Sequence, residues 1–494
     1  MPELAAALLS QISETVAVPT YDRSAVGVGI VHFGVGGFHR AHQAMYVDRL
    51  MGEGLAMDWG ICGVGVMPAD RAMADALNAQ QCLYTLVIKH ADGKREPRVI
   101  GSIVDYLYAP DSPERVLELL ASEQTRIVSL TITEGGYNFN QVTNEFEADN
   151  PAIAADLRTD AIPTTVFGYV AEALARRRDR GIAPFTIMSC DNVPGNGDMA
   201  RHTFTSFARL KDPALAAWMD EHVHFPNSMV DRITPATVPA DRAELSDQFG
   251  IDDRWPVVCE PFTQWVLEDD FGIGRPPFDE VGVQLVTSVE PYELMKLRLL
   301  NGGHQALGYF GYLAGYRLAH EAAQDPRFVA LLRTYMDTEA TPSLLPVPGV
   351  DLDAYKSELI ERFSNPEIRD TLARLCLESS DRIPKFLLPV LRYNLASGGP
   401  ISHTTAVMAS WARYAEGVDE AGEPIEIVDR LADKLKALAG QYPSEPLALP
   451  QIPELFGGLA ENARFRTTYE TILRRLHDIG TARTVDELNA GTLP

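Results

Sequence analysis

The chain has 494 residues, of which 46% are hydrophobic and 22% are charged, a composition typical of a globular protein. One hydrophobic core rarely serves a chain of this length, so two domains are expected. The formal net charge of -25 would repel phosphate backbones and anionic lipids, which argues against nucleic acid or a membrane as a partner and suits a small neutral substrate.

The N-terminus, "MPELAAALLSQISETV", lacks a basic region and predicts a short amphipathic helix rather than a signal peptide. No apolar run approaches the roughly 18 residues of a membrane-spanning helix. The five cysteines are scattered without a CxxC pair, which argues against a zinc cluster or a disulfide framework. These features together predict a cytoplasmic protein.

The first part of the chain alternates short apolar runs with amphipathic stretches, the pattern of βαβ units. "VGVGIVHFG" at 27–34 predicts a buried strand, and a helix is expected around "AHQAMYVDRLM". Further strands are expected at 59–66, 126–133 and 185–193. These elements predict an α/β, Rossmann-like dinucleotide-binding domain over residues 1–285.

From about residue 291 the sequence becomes mainly helical, beginning with "PYELMKLRLLNGGHQALGYFGYLAG". The Pro- and Gly-rich stretch "FGIGRPPFDEVGV" precedes this change of character. We therefore expect residues 286–494 to form a second, mainly α-helical domain for the substrate and the catalytic residues.

Three glycines, Gly34, Gly36 and Gly37, lie directly after the first predicted strand and before a predicted helix. Glycine lets a dinucleotide pyrophosphate approach the backbone, and a helix N-terminus offers free N–H groups and the positive end of its dipole. His39 occupies the place of the third glycine of the usual motif, and Arg40 could pair with a phosphate. The alternative is a glycine-rich turn without a ligand. The candidate cofactor-binding residues of this loop are Phe33, Gly34, Val35, Gly36, Gly37, Phe38 and Arg40.

Asp70 follows the second predicted strand, "WGICGVGV". A carboxylate there can accept hydrogen bonds from the adenine-ribose hydroxyls and repel a 2′-phosphate, which favours NAD over NADP. Its distance along the chain from Gly34 exceeds the usual spacing of about 20 residues. Asp70 could instead be an N-cap for the helix expected at "RAMADAL".

The stretch "PYELMKLRLLNGGHQALG" contains fragments of two other dehydrogenase motifs. Tyr292 and Lys296 form the Y-x-x-x-K pair of short-chain dehydrogenases, but they lie outside the predicted nucleotide domain. "GHQALG" is similar to the G-H-E-x-x-G of zinc alcohol dehydrogenases, but Gln305 replaces the glutamate and no cysteine lies nearby to bind zinc. Neither motif is favoured.

A third interpretation of this stretch needs no metal. Oxidation of a secondary alcohol then requires a side-chain base and fixed donors for the developing charge on oxygen. At about 100° per α-helical residue, Lys296, Asn301 and His304 share one arc of the predicted helix. Neighbouring leucines would lower the pKa of Lys296 toward the range of a general base, while Asn301 and His304 donate to the alkoxide. The alternative is a core helix with a polar edge.

Six stretches occur in order between about residue 27 and about residue 392: "HFGVGGFHRAHQ", "TEGGYN", "CDNVPGNG", "FPNSMVDRITP", "KLRLLNGGH" and "RLCLESSDRIPKFLLP". Together they resemble the polyol-specific long-chain dehydrogenases. The most specific signature is K-x-R-x-x-N-G-x-H, formed here by Lys296, Arg298, Asn301, Gly302 and His304. The resemblance favours a catalytic site over a polar helix edge.

The resemblance implies metal-free hydride transfer with Lys296 as the general base. Asn192, Asn301 and His304 would stabilise the charge on the substrate oxygen. Glu293 could relay protons from Lys296 or pair with a cation on the solvent side. The implied substrate-binding positions are Asp231, Arg374, Arg382 and Lys385, and Glu134 would shape the nicotinamide end of the site. Which of Arg382 and Lys385 contacts the substrate is left open.

The implied activity is NAD-dependent oxidation of D-mannitol, or of a related polyol, to the 2-ketose D-fructose. Alternatives within the family are a hexuronate reductase of the fructuronate or mannonate type and a D-arabinitol or sorbitol dehydrogenase. A nucleotide-sensing protein without activity belongs to another class, and the intact set of Lys296, Asn301 and His304 argues against it. We expect a monomer with a small polyol or ketose as its partner, NAD as its cofactor and no metal.

Overall fold

The computed structural model of the chain describes residues 3–140, 143 and 145–494 and divides into two units, Met1–Glu290 and Pro291–Pro494. We call them the N-terminal unit and the C-terminal unit. All thirteen strands assigned within the described residues lie in the N-terminal unit. The strands are β1 Val28–Phe33, β2 Gly60–Gly65, β3 Tyr84–Lys89, β4 Arg95–Ile100, β5 Ile103–Tyr108, β6 Ile127–Leu130, β7 Phe139–Asn140, β8 Glu145–Phe146, β9 Thr186–Ser189, β10 Ser228–Asp231, β11 Val257–Cys259, β12 Gln264–Glu268 and β13 Gln284–Val286.

The central sheet of the N-terminal unit has the strand order β5-β2-β1-β6-β9, and each neighbouring pair is parallel. β2, β6 and β9 are buried along their whole length, and β1 is buried after its first residue. Parallel strands covered on both faces need apolar side chains on both, which explains the continuous apolar runs in the sequence. Smaller sheets have the orders β10-β12-β13, β11-β3-β4 and β7-β8.

Alternate residues of β1 belong to two separate hydrophobic clusters. Val31 and Phe33 pack in the cluster that includes helix Val166–Arg180, whereas Ile30 packs in the cluster that includes helix Gln43–Gly52. Because side chains of a strand point to opposite faces in turn, helices cover both faces of the sheet. The α-helices of this unit are Leu9–Ile12, Gly37–Ala41, Gln43–Gly52, Asp70–Ala79, Pro113–Ala121, Thr133–Gly136, Pro151–Asp156, Val166–Arg180, Asn196–Lys211, Pro213–His222 and Pro239–Phe249.

The C-terminal unit is helical, and two of its segments, Lys296–Asn301 and Tyr335–Ala340, are π-helical. Helix Ser402–Ala415 is buried over most of its length and packs against helices Gly302–Leu313 and Ala463–Ile479. The remaining α-helices are Glu290–Met295, which spans the division between the units, Ala319–Ala323, Pro326–Thr334, Leu352–Phe363, Leu372–Leu375, Ser379–Phe386, Leu388–Ser397, Ala432–Ala439, Pro453–Phe456 and Thr481–Asn489. The prediction of a Rossmann-like α/β domain followed by a mainly helical domain is confirmed.

Among the helices that the structure describes, none combines the length and the apolar character needed to cross a bilayer. The five cysteines are free and buried.

Candidate active site

The glycine loop connects the end of β1 to the short helix Gly37–Ala41. Gly34 has φ +89°, and a Cβ on it would lie 2.1 Å from the carbonyl oxygen of Thr131, at the end of the neighbouring strand β6. Only glycine fits both the backbone angle and this space. Gly36 is the N-cap of the helix, so the first helical N–H groups have no partner within the helix and can bind an anion.

His39, which replaces the third glycine of the usual motif, packs inward. Its ring stacks on that of His32 with the centroids 3.4 Å apart and the planes 13° from parallel. Both rings are buried, and burial lowers the pKa of His32 to about 3. The His32 ring nitrogens lie within hydrogen-bonding distance of Ser129 Oγ at 2.8 Å and of Thr131 Oγ1 at 3.0 Å. The pair therefore fills space beneath the loop as two neutral rings.

Arg40, the expected phosphate partner, is 3% exposed and makes contacts within its own unit. Its Nε donates to the Gly36 carbonyl at 3.3 Å, and its Nη1 donates to the Trp255 carbonyl. Its guanidinium carbon lies 5.2 Å from the centroid of the Tyr84 ring. These contacts fix the glycine loop to the segment that precedes β11.

A cavity of about 470 Å³ opens beside the loop, lined by Gly37, Phe38, Arg40, residues 234–237, Arg242 and residues 255–257. Sequence reasoning missed Thr234, Thr237 and Arg242. Of these three, only Thr234 lies in a stretch that the sequence analysis singled out, near the end of "FPNSMVDRITP".

Asp70 is the first residue of helix Asp70–Ala79, and the N-cap is Ala69. The alternative of Asp70 as an N-cap is therefore wrong. Its Oδ2 accepts from the Met67 N–H at 2.8 Å, which closes the turn that follows β2. The neighbouring Arg71 donates to both carboxylate oxygens of Asp111, at 2.5 and 2.7 Å, so its charge is paired with Asp111.

Glu134 lies in the one-turn helix Thr133–Gly136, which is tied to the end of β9 by Asp191. The Asp191 carboxylate accepts from the Ile132 N–H at 3.1 Å, the Thr133 N–H at 2.7 Å and the Tyr137 hydroxyl at 2.8 Å. Thr133 has φ +65°, a conformation that costs a β-branched residue free energy and needs such support. Burial raises the pKa of Asp191. This carboxylate, which sequence reasoning missed although it precedes Asn192 directly, positions the turn that carries Glu134.

Asn192 lies beyond the end of β9, and Asp231 is the last residue of β10. Asn196 joins the end of β9 to the start of β10. Its Nδ2 donates to the Asp191 carbonyl at 2.9 Å and to the Ser228 carbonyl at 2.7 Å. The Ser228 hydroxyl also donates to the Ser189 carbonyl at 2.7 Å. These bonds tie the segment that carries Asn192 to the start of the strand that ends at Asp231. Sequence reasoning missed Asn196, the last asparagine of "CDNVPGN".

Lys296 and Asn301 lie at the two ends of the π-helical segment Lys296–Asn301, and His304 lies in the α-helix that follows. The expectation of a single α-helical arc is wrong, because a π-helix bonds residue i to i+5 and has a wider turn. Lys296 and Asn301 are both buried, and the His304 ring packs on that of Phe363 with the centroids 4.3 Å apart. The Tyr292 hydroxyl donates to the Pro348 carbonyl at 2.9 Å.

The two arginines expected on the substrate side bond within the C-terminal unit. Arg374 pairs with Asp370, and its Nε donates to Asp370 Oδ1 at 2.5 Å. Arg382 Nη1 donates to the Leu375 carbonyl at 3.0 Å and to the Arg374 carbonyl at 3.3 Å. Lys385 lies farther along the same helix, Ser379–Phe386. Within the described ranges, no group of three or more His, Cys, Asp or Glu side chains is arranged to hold a metal ion.

Residues 28–280 match the family described as mannitol dehydrogenase Rossmann domain, and residues 288–477 match mannitol dehydrogenase C-terminal domain. The chain belongs to the mannitol dehydrogenase family. The mannitol 2-dehydrogenases of Phaeosphaeria nodorum and Neosartorya fischeri are each 47% identical over 97% of this chain, and the matches cover 84% and 97% of their own lengths. The assignment to this family from sequence motifs is confirmed.

Two solved structures of the family are similar over nearly the whole chain. The Pseudomonas fluorescens mannitol 2-dehydrogenase ternary complex with NAD and D-mannitol is 46% identical, has a TM-score of 0.88 and is matched over 99% of both chains. A D-sorbitol dehydrogenase in substrate-free form is 37% identical, has a TM-score of 0.92 and is matched over 98% of this chain and 100% of its own.

Proposed function

We propose that the chain is an NAD-dependent mannitol 2-dehydrogenase, which converts D-mannitol and NAD⁺ to D-fructose, NADH and a proton. The observation that carries the proposal is the match over 99% of the chain to a mannitol 2-dehydrogenase whose structure contains NAD and D-mannitol. The Lys296, Asn301 and His304 set, which a protein without activity would not need, supports it.

The glycine loop fits a dinucleotide. The helix N–H groups after Gly36, a residue without a side chain, suit the close approach of a pyrophosphate. We propose that Phe33–Phe38 and Arg40 hold NAD, that Asp70 accepts from the adenine-ribose hydroxyls, and that Glu134 shapes the nicotinamide end. NAD supplies the hydride acceptor when it is bound.

We propose that five side chains carry out the oxidation of the polyol. Lys296 takes the proton from the C2 hydroxyl, and Asn192, Asn301 and His304 donate to the oxygen as its negative charge develops. Glu293, in the helix that precedes Lys296, passes the proton onward. The remaining substrate hydroxyls are proposed to bind Asp231, Arg374, Arg382 and Lys385. Each step uses groups of the chain and requires no metal.

The similarity to D-sorbitol dehydrogenase supports a second candidate function, oxidation of D-sorbitol. Sorbitol differs from mannitol in its configuration at C2. A site that binds several hydroxyls by hydrogen bonds discriminates by leaving mismatched polar groups unpaired. The two candidates therefore differ in the C2 configuration that the site accepts, and we propose the same base and cofactor for both.

The decisive experiment measures NADH formation by the purified protein with D-mannitol, D-sorbitol, D-arabinitol and mannonate. We expect the highest kcat/KM with D-mannitol. A higher value with mannonate would replace the proposal by a hexuronate reductase. NADH binding without turnover of any of the four compounds would support a nucleotide-sensing protein.

We also propose that the chain acts as a monomer in the cytoplasm, without membrane or nucleic-acid partners. The net charge of -25 supports a monomer without membrane or nucleic-acid partners, and the free, buried cysteines support a reducing cytoplasm. Light scattering after size-exclusion chromatography tests the monomer, because a mass above 54.3 kDa would contradict it.

A further inference from the structure

The π-helical segment Lys296–Asn301 changes the hydrogen-bond register of the helix that carries the base. The N–H of Gly302, directly after it, donates to the carbonyls of Leu297 and Leu299. The carbonyl of Arg298, between those two, accepts a hydrogen bond from the Tyr335 hydroxyl at 2.8 Å. A side chain from another helix therefore bonds to the backbone of this segment at the place where π-helical and α-helical bonding meet.

Gly302 and Tyr335 fit each other closely. A Cβ at Gly302 would lie 2.3 Å from the Tyr335 hydroxyl oxygen and 3.2 Å from its Cζ. The hydroxyl thus occupies the space that any other residue at 302 would need. This contact gives a physical reason for glycine at this position of the K-x-R-x-x-N-G-x-H signature.

Tyr335 is itself held in place. It is fully buried and begins the second π-helical segment, Tyr335–Ala340. Glu339, in the same segment, accepts from the His403 N–H at 2.7 Å and from the Thr404 N–H at 2.8 Å, at the start of helix Ser402–Ala415. These bonds fix the position from which the Tyr335 hydroxyl reaches the Arg298 carbonyl.

The side chain of Arg298 makes a second connection to the same region. Its Nη1 donates to the carbonyl of Ser343, in the turn Thr341–Ser343 that directly follows Tyr335–Ala340. Residues 335–343 therefore bond to both the backbone and the side chain of Arg298.

We propose that Tyr335 is a positioning residue, which holds the segment Lys296–Asn301 in its π-helical register and so sets the angle between Lys296 and Asn301. Successive side chains of an α-helix lie about 100° apart around the helix axis. A π turn contains more residues, so the angle between its successive side chains is smaller. Loss of the π turn would rotate the base away from the amide that binds the same oxygen. This inference rests on the proposed function, because those two residues act on the polyol.

The first test replaces Tyr335 by phenylalanine, which removes only the hydroxyl. We expect kcat for the best polyol to fall by about tenfold or more, since small displacements of a reacting group have large effects on rate, while the KM for NAD stays near the wild-type value. The pH dependence of kcat should also shift. Wild-type kcat and an unchanged pH profile would overturn the proposal.

Tyr309→Phe is the matched control. The Tyr309 hydroxyl is buried in the same unit and lies 2.7 Å from both Gln305 Oε1 and Ser379 Oγ. Its removal should lower the melting temperature and leave kcat and the pH profile within about twofold of the wild type, as expected for a mainly structural hydroxyl. An equal loss of kcat in Tyr309→Phe would assign the effect of Tyr335→Phe to general destabilisation and overturn the proposal.

A double-mutant cycle tests the contact between Gly302 and Tyr335 directly. Gly302→Ala alone should lower kcat and stability strongly, and Tyr335→Phe should restore part of both in the double variant, because the clashing oxygen is gone. Additive losses in the double variant would overturn the proposal.

Amide hydrogen exchange gives a measurement that does not depend on activity. Exchange at residues 297–302 should accelerate in Tyr335→Phe and stay unchanged in Tyr309→Phe. If the wild-type protein oxidises no polyol, the proposed function fails, and the exchange data still decide whether Tyr335 holds the segment. Equal exchange in the wild type and Tyr335→Phe would overturn the inference alone.

Discussion

Replacement of Asp191 by asparagine should weaken the link between β9 and the turn that carries Glu134. The carboxylate accepts three hydrogen bonds, from the Ile132 and Thr133 N–H groups and from the Tyr137 hydroxyl. Asparagine has nearly the same shape but only one acceptor oxygen. At least one donor would then face the amide nitrogen, next to a threonine held at φ +65°.

The size of the effect follows from these contacts. A hydrogen bond to a charged acceptor contributes about 1.5–3 kcal/mol, and a buried donor left without a partner costs about 1–3 kcal/mol. The unusual backbone of Thr133 stores about 1–3 kcal/mol of strain in the folded wild type, and relaxation of this strain in the variant would offset part of the loss. Because the single effects overlap, we expect the free energy of unfolding to fall by about 3 kcal/mol.

Asp156→Asn is the matched control for this assay. Asp156 is buried in the same unit and accepts from the N–H groups of Thr164 and Thr165, at 3.0 and 2.8 Å, and from their hydroxyls. Urea titrations should show similar losses of stability in both variants. Only Asp191→Asn should also raise the KM for NAD and lower kcat, because only its turn carries Glu134.

Two results would refute this reasoning. One is a stability for Asp191→Asn within about 0.5 kcal/mol of the wild type, the range of ordinary surface substitutions. The other is a loss of kcat in Asp156→Asn as large as that in Asp191→Asn, which would mean that destabilisation of the unit alone explains the effect.

Four further predictions test the proposed function and the buried histidine pair. Lys296→Ala should lower kcat by about 10²–10⁴-fold or more while NADH binding, followed by fluorescence titration, stays unchanged; a near-native kcat at neutral pH would contradict the base assignment. Asp70→Ala should shift the ratio of kcat/KM for NAD and NADP toward NADP by about 1–3 kcal/mol, since the paired Arg71 does not neutralise Asp70; a constant ratio would place the selectivity elsewhere. Incubation with a strong chelator should leave activity unchanged, and inactivation reversed by zinc would contradict a metal-free reaction. Burial lowers the pKa of His32 from 6.5 to about 3, so the stability that its neutral ring contributes is complete above pH 6.5 and is lost toward pH 3, at about 1.4 kcal/mol per pH unit. In urea titrations, the free energy of unfolding should therefore fall less between pH 7 and pH 5 in His32→Gln than in the wild type, and an equal fall would contradict this prediction.

The sequence was sufficient to predict the fold class and the family. Parallel strands buried on both faces leave continuous apolar runs, and a glycine such as Gly34 is required locally by its φ of +89°. Such features are determined by residues close along the chain or by simple burial. They therefore leave motifs and periodicity that can be recognised in the amino-acid sequence itself.

The contacts that position the predicted residues were not predictable in the same way. "KLRLLN" has good helix formers and predicts an α-helix, whereas its π-helical form depends on the hydroxyl of Tyr335, 37 residues away from Arg298. Arg40 was expected to bind phosphate, and its bond to Trp255 spans 215 residues. Local sequence carries no signal for a partner at such a distance, so the type of residue was predictable and its contacts were not.

The two units use the same physical solution to place their site residues. In the N-terminal unit, a buried carboxylate holds Thr133 at a positive φ next to Glu134; in the C-terminal unit, a buried hydroxyl bonds to the π-helical segment that carries Lys296. Unfavourable backbone conformations, such as a positive φ at threonine, persist only where several contacts with the surrounding structure stabilise them. Each anchor is a polar group in a dry environment, where a missing partner is costly. The geometry of the reacting groups therefore depends on buried hydrogen bonds as well as on the reacting side chains. Tyr335 lies outside the K-x-R-x-x-N-G-x-H signature, so a homologue can keep every residue of that signature and still lose activity when this anchor changes.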